Sequence, residues 1–435
     1  MRRDATLSWR GIGRPRDVAC GHADPVAGGA HTTGWIYRGG MGAAALGVAA
    51  VLVAASEPLI RDAAALAALV LVGTHYLLSA ARRPLLFYQR SPLLERILAG
   101  CPSLRGRFWP TPWCFNRHLQ LALMALRDAR EAPLCFDHTV RLRLSDGGTV
   151  SLEWAGLVEG SAPADPTPVL IVLPTICGDG RGLRRFVRAM STRLGWRVVV
   201  LNRRGHGDLP LTTPRFNTLG STDDLREQLC HVRGFAPSSP LYAVGLSAGS
   251  GLLVRYLGEE GERSPLTAAV ALCPGYDTTR AFARVHPAYD RYLIRMLRNY
   301  FLRRHAGALR SAAGYVETLS ARSLAGFHDR GFRLAGFSSA AEYHHCTNPM
   351  VVARGVRVPI LVLNAADDPV CVVENVRENV SFVDTVAESI IVLTARGSHC
   401  AFFERVLRPA SWADRVIGEY LAAVHAALAA PAAPT

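Results

Sequence analysis

The sequence has no lysine, and all 49 of its basic side chains are arginines. Against 35 acidic residues, they give a formal net charge of +14. Arginine in place of lysine, in a chain rich in alanine, is the usual mark of a GC-rich coding sequence, so part of this charge reflects codon usage. The arginines form no compact run interleaved with aromatic residues, which argues against a nucleic-acid-binding protein. A basic surface facing anionic lipid headgroups fits the pattern better.

Paired cysteines are also absent. None of the ten cysteines occurs in a Cys-x-x-Cys pair, and no histidine spacing suggests zinc. Scattered cysteines in a long chain are more often free thiols than a disulfide framework, which favours a reducing compartment. The cluster Tyr343-His344-His345-Cys346 has no fourth partner at ligand spacing. We therefore expect neither a metal nor a cofactor.

Two stretches near the start of the chain carry no charge. Residues 1–38 are polar and aperiodic and are predicted to form a mobile tail. Residues 39–56 and 63–81 are apolar, and each is near the length that crosses a bilayer. We predict a membrane anchor at 39–81 with one or two helices, of which 63–81 is the better span. A pair of buried alanine-rich helices is the alternative. Arginines after the second stretch would place the rest of the chain on the cytosolic side.

The remainder of the chain reads as one large α/β domain. Residues 82–139 are predicted to connect the anchor to this domain, which runs over 140–428. Within it, β-branched apolar runs such as VLIVL (169–173) alternate with helical patterns, which predicts a mostly parallel sheet with helices on both faces. Residues 276–350 break the alternation, are helical in pattern and are rich in arginine and tyrosine. We expect them to form a helical cap inserted into the domain.

The sharpest motif is Gly245-Leu246-Ser247-Ala248-Gly249. It follows the apolar run LYAV and precedes a helical pattern, which is the strand–turn–helix context of a nucleophile elbow. A serine hydroxyl is a poor nucleophile at neutral pH and needs a base that an acid holds in place. The motif therefore predicts Ser247 as a nucleophile and directs the search to acids and histidines further along the chain.

An acid and a histidine follow in the expected order, each just after a predicted strand. His399 comes after SIIVLTA, and Asp367-Asp368 comes after ILVLN. We prefer Asp368 as the acid because the Asp-Pro-Val that it begins resembles the usual acid loop, with Asp367 as the alternative. His206, in NRRGHGD, is interpreted as a loop residue rather than a second base.

The oxyanion of a serine hydrolase needs two preorganised N–H donors. One is expected to be the N–H of Ala248, next to the nucleophile. The second is expected in the loop after VLIVL, where Ile176 N–H is preferred and Thr175 N–H is the alternative.

Several separate motifs resemble those of α/β-hydrolase-domain lipases with an N-terminal membrane anchor, which are related to bacterial YheT-like esterases. These motifs are CPSLRGRFWPTPWCFNRHLQ (101–120), NRRGHGDLPLTTPRFNTLGSTDDL (202–225), GLSAGSGLLVRYLGE, FHDRGFRLAGFSSAAEYHHCTNP, NAADDPV and GSHCAFFE. The resemblance implies an α/β-hydrolase fold and a catalytic triad of Ser247, Asp368 and His399. It also implies one signal-anchor helix with the catalytic domain on the far side of the membrane, opposite to the orientation that the arginines indicate. The chain departs from the family at Thr175, where a glycine is usual.

The sequence thus predicts a membrane-bound serine hydrolase that cleaves acyl esters of lipids. The resemblance implies monoacylglycerols, phospholipids or simple carboxylesters as substrates, and a eukaryotic member would be expected on the endoplasmic reticulum or another endomembrane. A non-catalytic lipid-binding receptor on the same fold and an acyltransferase with the same triad are the alternatives. The partners expected are a lipid ester and the bilayer, without nucleic acid, and the oligomeric state is left open.

Overall fold

The computed structural model describes residues 58–157 and 165–429. The predicted tail at 1–38 and the first predicted membrane stretch at 39–56 lie outside these residues.

A nine-stranded sheet forms the centre of the domain, in the order β1-β9-β8-β7-β6-β4-β5-β3-β2. The six strands from β4 to β9 are parallel, and β1, β2 and β3 pair antiparallel with their neighbours. The strands are β1 (Leu85–Tyr88), β2 (His138–Arg143), β3 (Thr149–Ala155), β4 (Val169–Leu173), β5 (Arg197–Asn202), β6 (Leu241–Leu246), β7 (Leu266–Leu272), β8 (Ile360–Ala365) and β9 (Ser389–Thr394). The mostly parallel sheet predicted from the β-branched runs is confirmed.

Helices cover both faces of the sheet. The α-helices are α1 (Pro58–Ser79), α2 (Pro92–Ala99), α3 (Pro102–Arg105), α4 (Arg117–Arg130), α5 (Arg184–Leu194), α6 (Thr222–Phe235), α7 (Ala248–Glu260), α8 (Thr278–Arg284), α9 (Pro287–Leu297), α10 (Ala306–Leu309), α11 (Tyr315–Leu319), α12 (Leu324–Gly331), α13 (Ala340–Thr347), α14 (Val373–Asn379), α15 (Phe382–Thr385) and α16 (Trp412–Ala429). A π-helix (Arg298–Arg303) follows α9, and a two-stranded hairpin of β10 (Phe403–Glu404) and β11 (Ala410–Ser411) precedes α16.

Alternate side chains of each parallel strand enter two different cores. Val198 and Val200 of β5 pack in one core with Trp412 and Tyr420 of α16. Val199, between them, packs in the other core with helices α6 and α7. Because successive side chains of a strand point to opposite faces, a continuous apolar run is the expected sequence of a strand that is covered on both sides.

Between β7 and β8 the chain leaves the sheet for helices α8 to α13. These helices have a core of their own, in which Leu297, Phe301 and Phe327 are buried. Ile176, from the loop after β4, packs against the same core. The cap predicted over 276–350 falls on this stretch, and its Phe282, Leu293 and Leu324 line the same cavity as Ser247, which follows β6.

The predicted connector at 82–139 contributes to the sheet and to its covering layer. Its β1 pairs with β9 at the sheet edge, from Leu85 opposite Leu393 to Tyr88 opposite Ile390. Leu94 and Ile97 of α2 are buried in the core that contains α16. This segment therefore forms part of the folded domain.

Candidate active site

Ser247 stands in the tight turn between β6 and α7. Its φ is 51°, in the left-handed region that costs energy for any residue except glycine. Its N–H donates to the carbonyl of Leu272 at 2.8 Å, which ties the turn to the end of β7. The turn therefore presents the hydroxyl at the carboxyl edge of the sheet.

The two glycines of the motif have a steric cause. A Cβ at Gly245 would overlap the carbonyl of Gly249, and a Cβ at Gly249 would overlap the carbonyl of Leu173 at the end of β4. Helix α7 can start this close to the sheet only if both positions lack a side chain. The motif Gly-x-Ser-x-Gly is therefore required by the turn itself.

A continuous chain of hydrogen bonds joins Ser247, His399 and Asp368. The Oγ of Ser247 lies 2.8 Å from Nε2 of His399, and Nδ1 of His399 lies 2.8 Å from Oδ2 of Asp368. An ionised carboxylate can only accept, so Nδ1–H donates to Asp368 and Nε2 of the neutral ring accepts from the serine hydroxyl. The structure thus brings together the three residues predicted for the triad.

The two neighbouring aspartates have different partners. Asp368 is buried, and its Oδ1 accepts the N–H groups of Val370 at 2.7 Å and Cys371 at 2.8 Å. Asp367 accepts the Ser398 N–H at 2.9 Å and makes no hydrogen bond to His399. Burial raises the pKa of Asp367 to about 6. Of the two acids left open by the sequence, Asp368 is the one that contacts the histidine.

Burial and the charge of Asp368 act in opposite directions on the pKa of His399. Burial alone would lower the pKa of the imidazole, but the carboxylate at 2.8 Å raises it, and the net pKa lies well above the ordinary value. An imidazolium that forms when the ring accepts a proton is therefore stabilised in place.

A buried arginine holds the loop after β4. Nη2 of Arg203 donates to the carbonyl of Thr175 and lies 3.1 Å from Nε2 of His206. Burial lowers the pKa of His206 to about 3, so the ring is neutral, and its Nδ1 and Nε2 lie 3.0 Å and 3.1 Å from the carbonyls of Arg204 and Ile176. Burial also lowers the pKa of Arg203, to about 10, which leaves it charged at neutral pH. His206 is thus a structural loop residue, as interpreted from the sequence.

The position of this carbonyl determines where the next N–H points. No peptide bond in the described residues is cis, and in a trans peptide the C=O and N–H point in opposite directions. With its carbonyl on Arg203, the Thr175–Ile176 peptide directs the Ile176 N–H away from that arginine. Among the described residues, no group accepts a hydrogen bond from the N–H of Ile176 or Ala248. Both residues line the same cavity as Ser247.

Thr175 N–H has a less favourable direction. A Cβ at Gly249 would lie 2.7 Å from the carbonyl of Pro174, so this carbonyl faces the start of α7. The Thr175 N–H of the same trans peptide therefore points away from the elbow. The backbone favours Ile176 over Thr175 as an oxyanion donor.

The cavity above Ser247 has a volume of about 480 Å³. One part of the cavity wall is largely apolar. The side chains that form it come from the loops and the cap: Leu219, Phe282, Val285, Leu293, Met296 and Leu324. A more polar part contains Arg226, Arg255 and Glu259, which are bonded to one another through Glu259. Thr278 also lines the cavity, and its buried Oγ1 has no hydrogen-bond partner.

Three thiols lie close to the histidine, and of these the sequence indicated only Cys400, the residue next to His399. Cys273 and Cys400 have Sγ atoms within 4.8 Å of each other and of a His399 ring nitrogen, and Cys371 lies similarly close to Asp368 and His399. Among the described residues, these two sets of side chains are the ones close enough to ligate a metal ion together. Both sets include His399, which is hydrogen-bonded to Ser247. The His344-His345-Cys346 cluster is in neither group, and His344 pairs with Asp329 at 2.7 Å.

Arg203 and Thr278 were also missed at the level of sequence. Arg203 lies in the NRRGHGD motif, but its contact with the Thr175 carbonyl spans 28 residues and appears only after folding. Thr278 lies in a stretch whose pattern indicates only a helical cap.

Comparison with known proteins gives consistent matches. The model of a family described as "Serine aminopeptidase, S33" matches residues 164–405. Embryogenesis-associated protein EMB8 of Picea glauca is 32% identical over 336 residues, which cover 71% of this chain and 71% of the relative. Phospholipase ABHD3 of Mus musculus is 28% identical over 371 residues, with 80% and 86% covered. Monoacylglycerol lipase ABHD2 of Mus musculus is 25% identical over 398 residues, with 84% and 93% covered.

Proposed function

Because the chain belongs to the α/β-hydrolase family described as serine aminopeptidase S33, we propose that it hydrolyses acyl esters of lipids at a membrane. The observation that carries this proposal is the hydrogen-bonded chain Ser247–His399–Asp368, which opens onto a largely apolar cavity. Such a chain activates a hydroxyl for attack on a carbonyl, and the apolar wall suits an acyl chain.

The reaction proceeds in two halves through an acyl-enzyme. The Oγ of Ser247 attacks the ester carbonyl carbon while Nε2 of His399 takes the hydroxyl proton. The tetrahedral intermediate then collapses, the C–O bond to the alcohol breaks, and His399 gives its proton to the leaving oxygen. Water enters, loses a proton to His399 and attacks the acyl-serine, and the same proton returns to Ser247 as the fatty acid leaves.

Asp368 and two backbone amides assist both halves. Asp368 holds the Nδ1–H tautomer and stabilises the imidazolium, while its own charge is shared with two backbone N–H groups. The N–H groups of Ala248 and Ile176 serve as the oxyanion donors in this proposal. Support for Ile176 comes from the orientation that Arg203 imposes on the Thr175–Ile176 peptide. Donors fixed in advance stabilise the developing charge without reorganisation.

The substrate class rests on the cavity and the relatives. Relatives of this chain are named phospholipase and monoacylglycerol lipase. The apolar wall of Phe282, Leu293 and Met296 would take the acyl chain, and the polar part with Arg226 and Arg255 would face the glycerol or headgroup. We therefore propose monoacylglycerols or phospholipids as substrates.

Attachment to the membrane is proposed through α1. This is the one helix among residues 58–157 and 165–429 that is long and apolar enough to span a bilayer, over Arg61–Ser79, and its apolar residues are not buried in the fold. Exposed Leu66, Leu69 and Val70 would otherwise face water. In a eukaryotic cell we place the protein on an endomembrane such as the endoplasmic reticulum.

Hydrolysis of vesicle-embedded lipid esters tests the proposal. Wild type should release fatty acid from monoacylglycerol or phospholipid, and Ser247→Ala should lose this activity while it keeps the same thermal unfolding midpoint. Adding an alcohol acceptor shows whether water or the alcohol takes the acyl group from Ser247. Lipid binding by well-folded wild type with no product would instead favour a receptor, and a product ester formed with the alcohol in place of fatty acid would favour an acyltransferase.

A further inference from the structure

Four large apolar side chains lie exposed together at one corner of the domain. Leu407 is 91% exposed, Val406 56%, Trp113 54% and Trp109 48%. We call these four residues the corner patch. Single exposed apolar residues are ordinary on a protein surface, but two tryptophans beside two aliphatic residues are the composition of a contact surface.

Hydrogen bonds join the two loops that carry the corner patch. Nε1 of Trp113 donates to the Val406 carbonyl at 2.7 Å, and Oγ1 of Thr111 donates to the Arg405 carbonyl at 2.9 Å. The Thr111 N–H also donates to the Phe403 carbonyl at 2.8 Å. These bonds make the patch one fixed surface rather than two independent loops.

The corner patch adjoins the end of the apolar helix α1. The hydroxyl of Tyr76 donates to the Pro110 carbonyl at 2.6 Å, and its ring lies 6.4 Å from the ring of Trp109 between centroids. Exposed arginines flank both elements, with Arg83 after the helix and Arg408 after the patch. Tryptophan and tyrosine favour the headgroup region of a bilayer, and arginine is attracted to anionic lipids there.

We propose that the corner patch inserts into the headgroup region of the bilayer that α1 spans. This inference rests on the proposed membrane attachment and adds a second contact that fixes how the catalytic domain sits on the lipid. The last turn of α1 docks on the domain through Tyr76, so the helix gives the domain one point of attachment to the bilayer. The corner patch supplies a second point of contact with the bilayer, and Arg83 and Arg408 supply positive charge for the lipid phosphates.

The corner patch is coupled to the active site by short paths. Leu407 follows His399 by eight residues, in the turn between β10 and β11. The Oγ of Ser398 donates to the carbonyl of Arg117, the first residue of α4, at 2.8 Å. Met124 of the same helix lines the cavity above Ser247. Lipid contact at the patch therefore holds one side of the cavity close to the membrane that supplies its substrate.

Nitroxide labelling of the full chain tests this contact. Leu407→Cys carries the label in a background of Cys20→Ser, Cys135→Ser and Cys230→Ser, with the parent background as correction for labelling elsewhere. Val316→Cys is the matched control, since Val316 is 69% exposed on α11. In vesicles of phosphatidylcholine and phosphatidylglycerol, the label at 407 should be shielded from a water-soluble nickel chelate and accessible to oxygen. The label at 316 should stay accessible to the chelate.

Activity gives an independent reading. Leu407→Glu should lower hydrolysis of a vesicle-embedded long-chain ester roughly fivefold or more, from the lost burial of one leucine, and leave hydrolysis of a soluble short-chain ester unchanged. Val316→Glu should change neither rate.

The possible failures are distinguishable. Protein that floats with vesicles while the 407 label remains as accessible to the chelate as the 316 label would overturn the corner patch and leave the anchor standing. Shielding of the 407 label in detergent, with elution at the size of a dimer, would assign the patch to a second copy and overturn the lipid contact. If no ester is hydrolysed, the proposed function fails, and the label at 407 still decides the patch.

Discussion

Two adjacent aspartates at the end of β8 differ in what their carboxylates contact. Asp368 bonds His399, whereas Asp367 bonds the Ser398 backbone and pairs with Arg396 at 3.9 Å through an oxygen that makes no hydrogen bond. Sequence reasoning could place both at the right strand end, but two neighbouring carboxylates on one loop look alike until their side-chain directions are known. The resemblance of Asp368-Pro369-Val370 to an acid loop pointed to the residue that the structure brings to the histidine.

Replacing each aspartate separately should therefore give unequal effects on kcat. We expect Asp368→Asn to lower kcat about a thousandfold or more, because the amide no longer holds the tautomer and charge that His399 needs. Asp367→Asn should stay within about tenfold, since an amide oxygen can still accept the Ser398 N–H. Steady-state hydrolysis of a soluble ester measures both. Equal losses would contradict the assignment of the acid.

The same pair predicts a shift in pH dependence. Asp368 raises the pKa of His399, and the ring must be neutral to act as a base, so kcat/KM should rise with pH through a raised pKa. Without the carboxylate the imidazolium is less stable, so residual activity of Asp368→Asn should have its acid limb at lower pH. A pH profile of kcat/KM checks this, and an unmoved or upward-shifted limb would contradict it.

Asp367 should make the protein less stable as pH rises. Burial raises its pKa in the folded state to about 6, above its ordinary value of 3.8. The folded state therefore holds a proton that the unfolded state has lost, and the free energy of unfolding falls as pH rises from about 4 to about 6. The free energy of unfolding of Asp367→Asn, relative to that of wild type, should therefore increase by about 1 to 3 kcal/mol between these two pH values. Urea unfolding at both pH values measures the gain, and a constant difference would contradict it.

At the scale of elements, the sequence predicted the central strands well and the edge of the sheet poorly. Strands β4 to β9 are buried along their whole length apart from Thr267 of β7, so their apolar composition revealed them. The four-residue β1 (LLFY) fell within a predicted connector because a short edge strand has too few residues to show a pattern. Its partner strand β9 lies slightly more than 300 residues further along the chain. The elbow was predictable because its two glycines are a local steric requirement.

Long-range contacts that set the oxyanion loop could not be predicted from local sequence. Arg203→Met should remove one of the two hydrogen bonds to the Thr175 carbonyl and leave that of the Gly178 N–H at 3.0 Å. The Ile176 N–H is then held less firmly, and kcat should fall about ten- to hundredfold with little change in KM. Arg204→Met is the matched control, because Arg204 is the next residue and equally buried, but it bonds Asp224 and Asp146. It should cost stability and leave kcat per folded molecule unchanged.

Stopped-flow acylation and thermal unfolding together measure the two arginines. Equal losses of kcat in both variants would mean that Arg203 acts only through stability, which would contradict its role in positioning the loop.

At the scale of the whole molecule, the fold places an apolar helix and a largely apolar cavity on one chain. The helix α1 keeps Leu66, Leu69 and Val70 exposed, while its last turn docks on the domain through Tyr76. An isolated water-soluble domain would gain nothing from such a surface. The arrangement fits an enzyme that acts at the membrane in which its lipid substrate lies.

Charges in the span should detach the protein from lipid. Leu66→Arg, Leu69→Arg and Val70→Arg together should raise the cost of insertion by roughly 8 to 10 kcal/mol and move the full chain from the membrane pellet to the supernatant. Val316→Arg with Val351→Arg is the control, since both valines are exposed on the domain. Carbonate extraction followed by ultracentrifugation measures the distribution. Retention of the triple variant in the pellet, with residues 39–56 also deleted so that the first apolar stretch cannot hold it there, would contradict a spanning role for α1.

The most direct test of the central claim is labelling of the detergent-solubilised full chain with a fluorophosphonate, with the modified residue mapped by mass spectrometry. We predict one label on Ser247, no label in Ser247→Ala, strongly reduced labelling in His399→Ala and full labelling in the cavity-lining control Ser221→Ala. Well-folded wild type that takes no label, or that takes it on another residue, would contradict an activated serine and with it the proposed hydrolase.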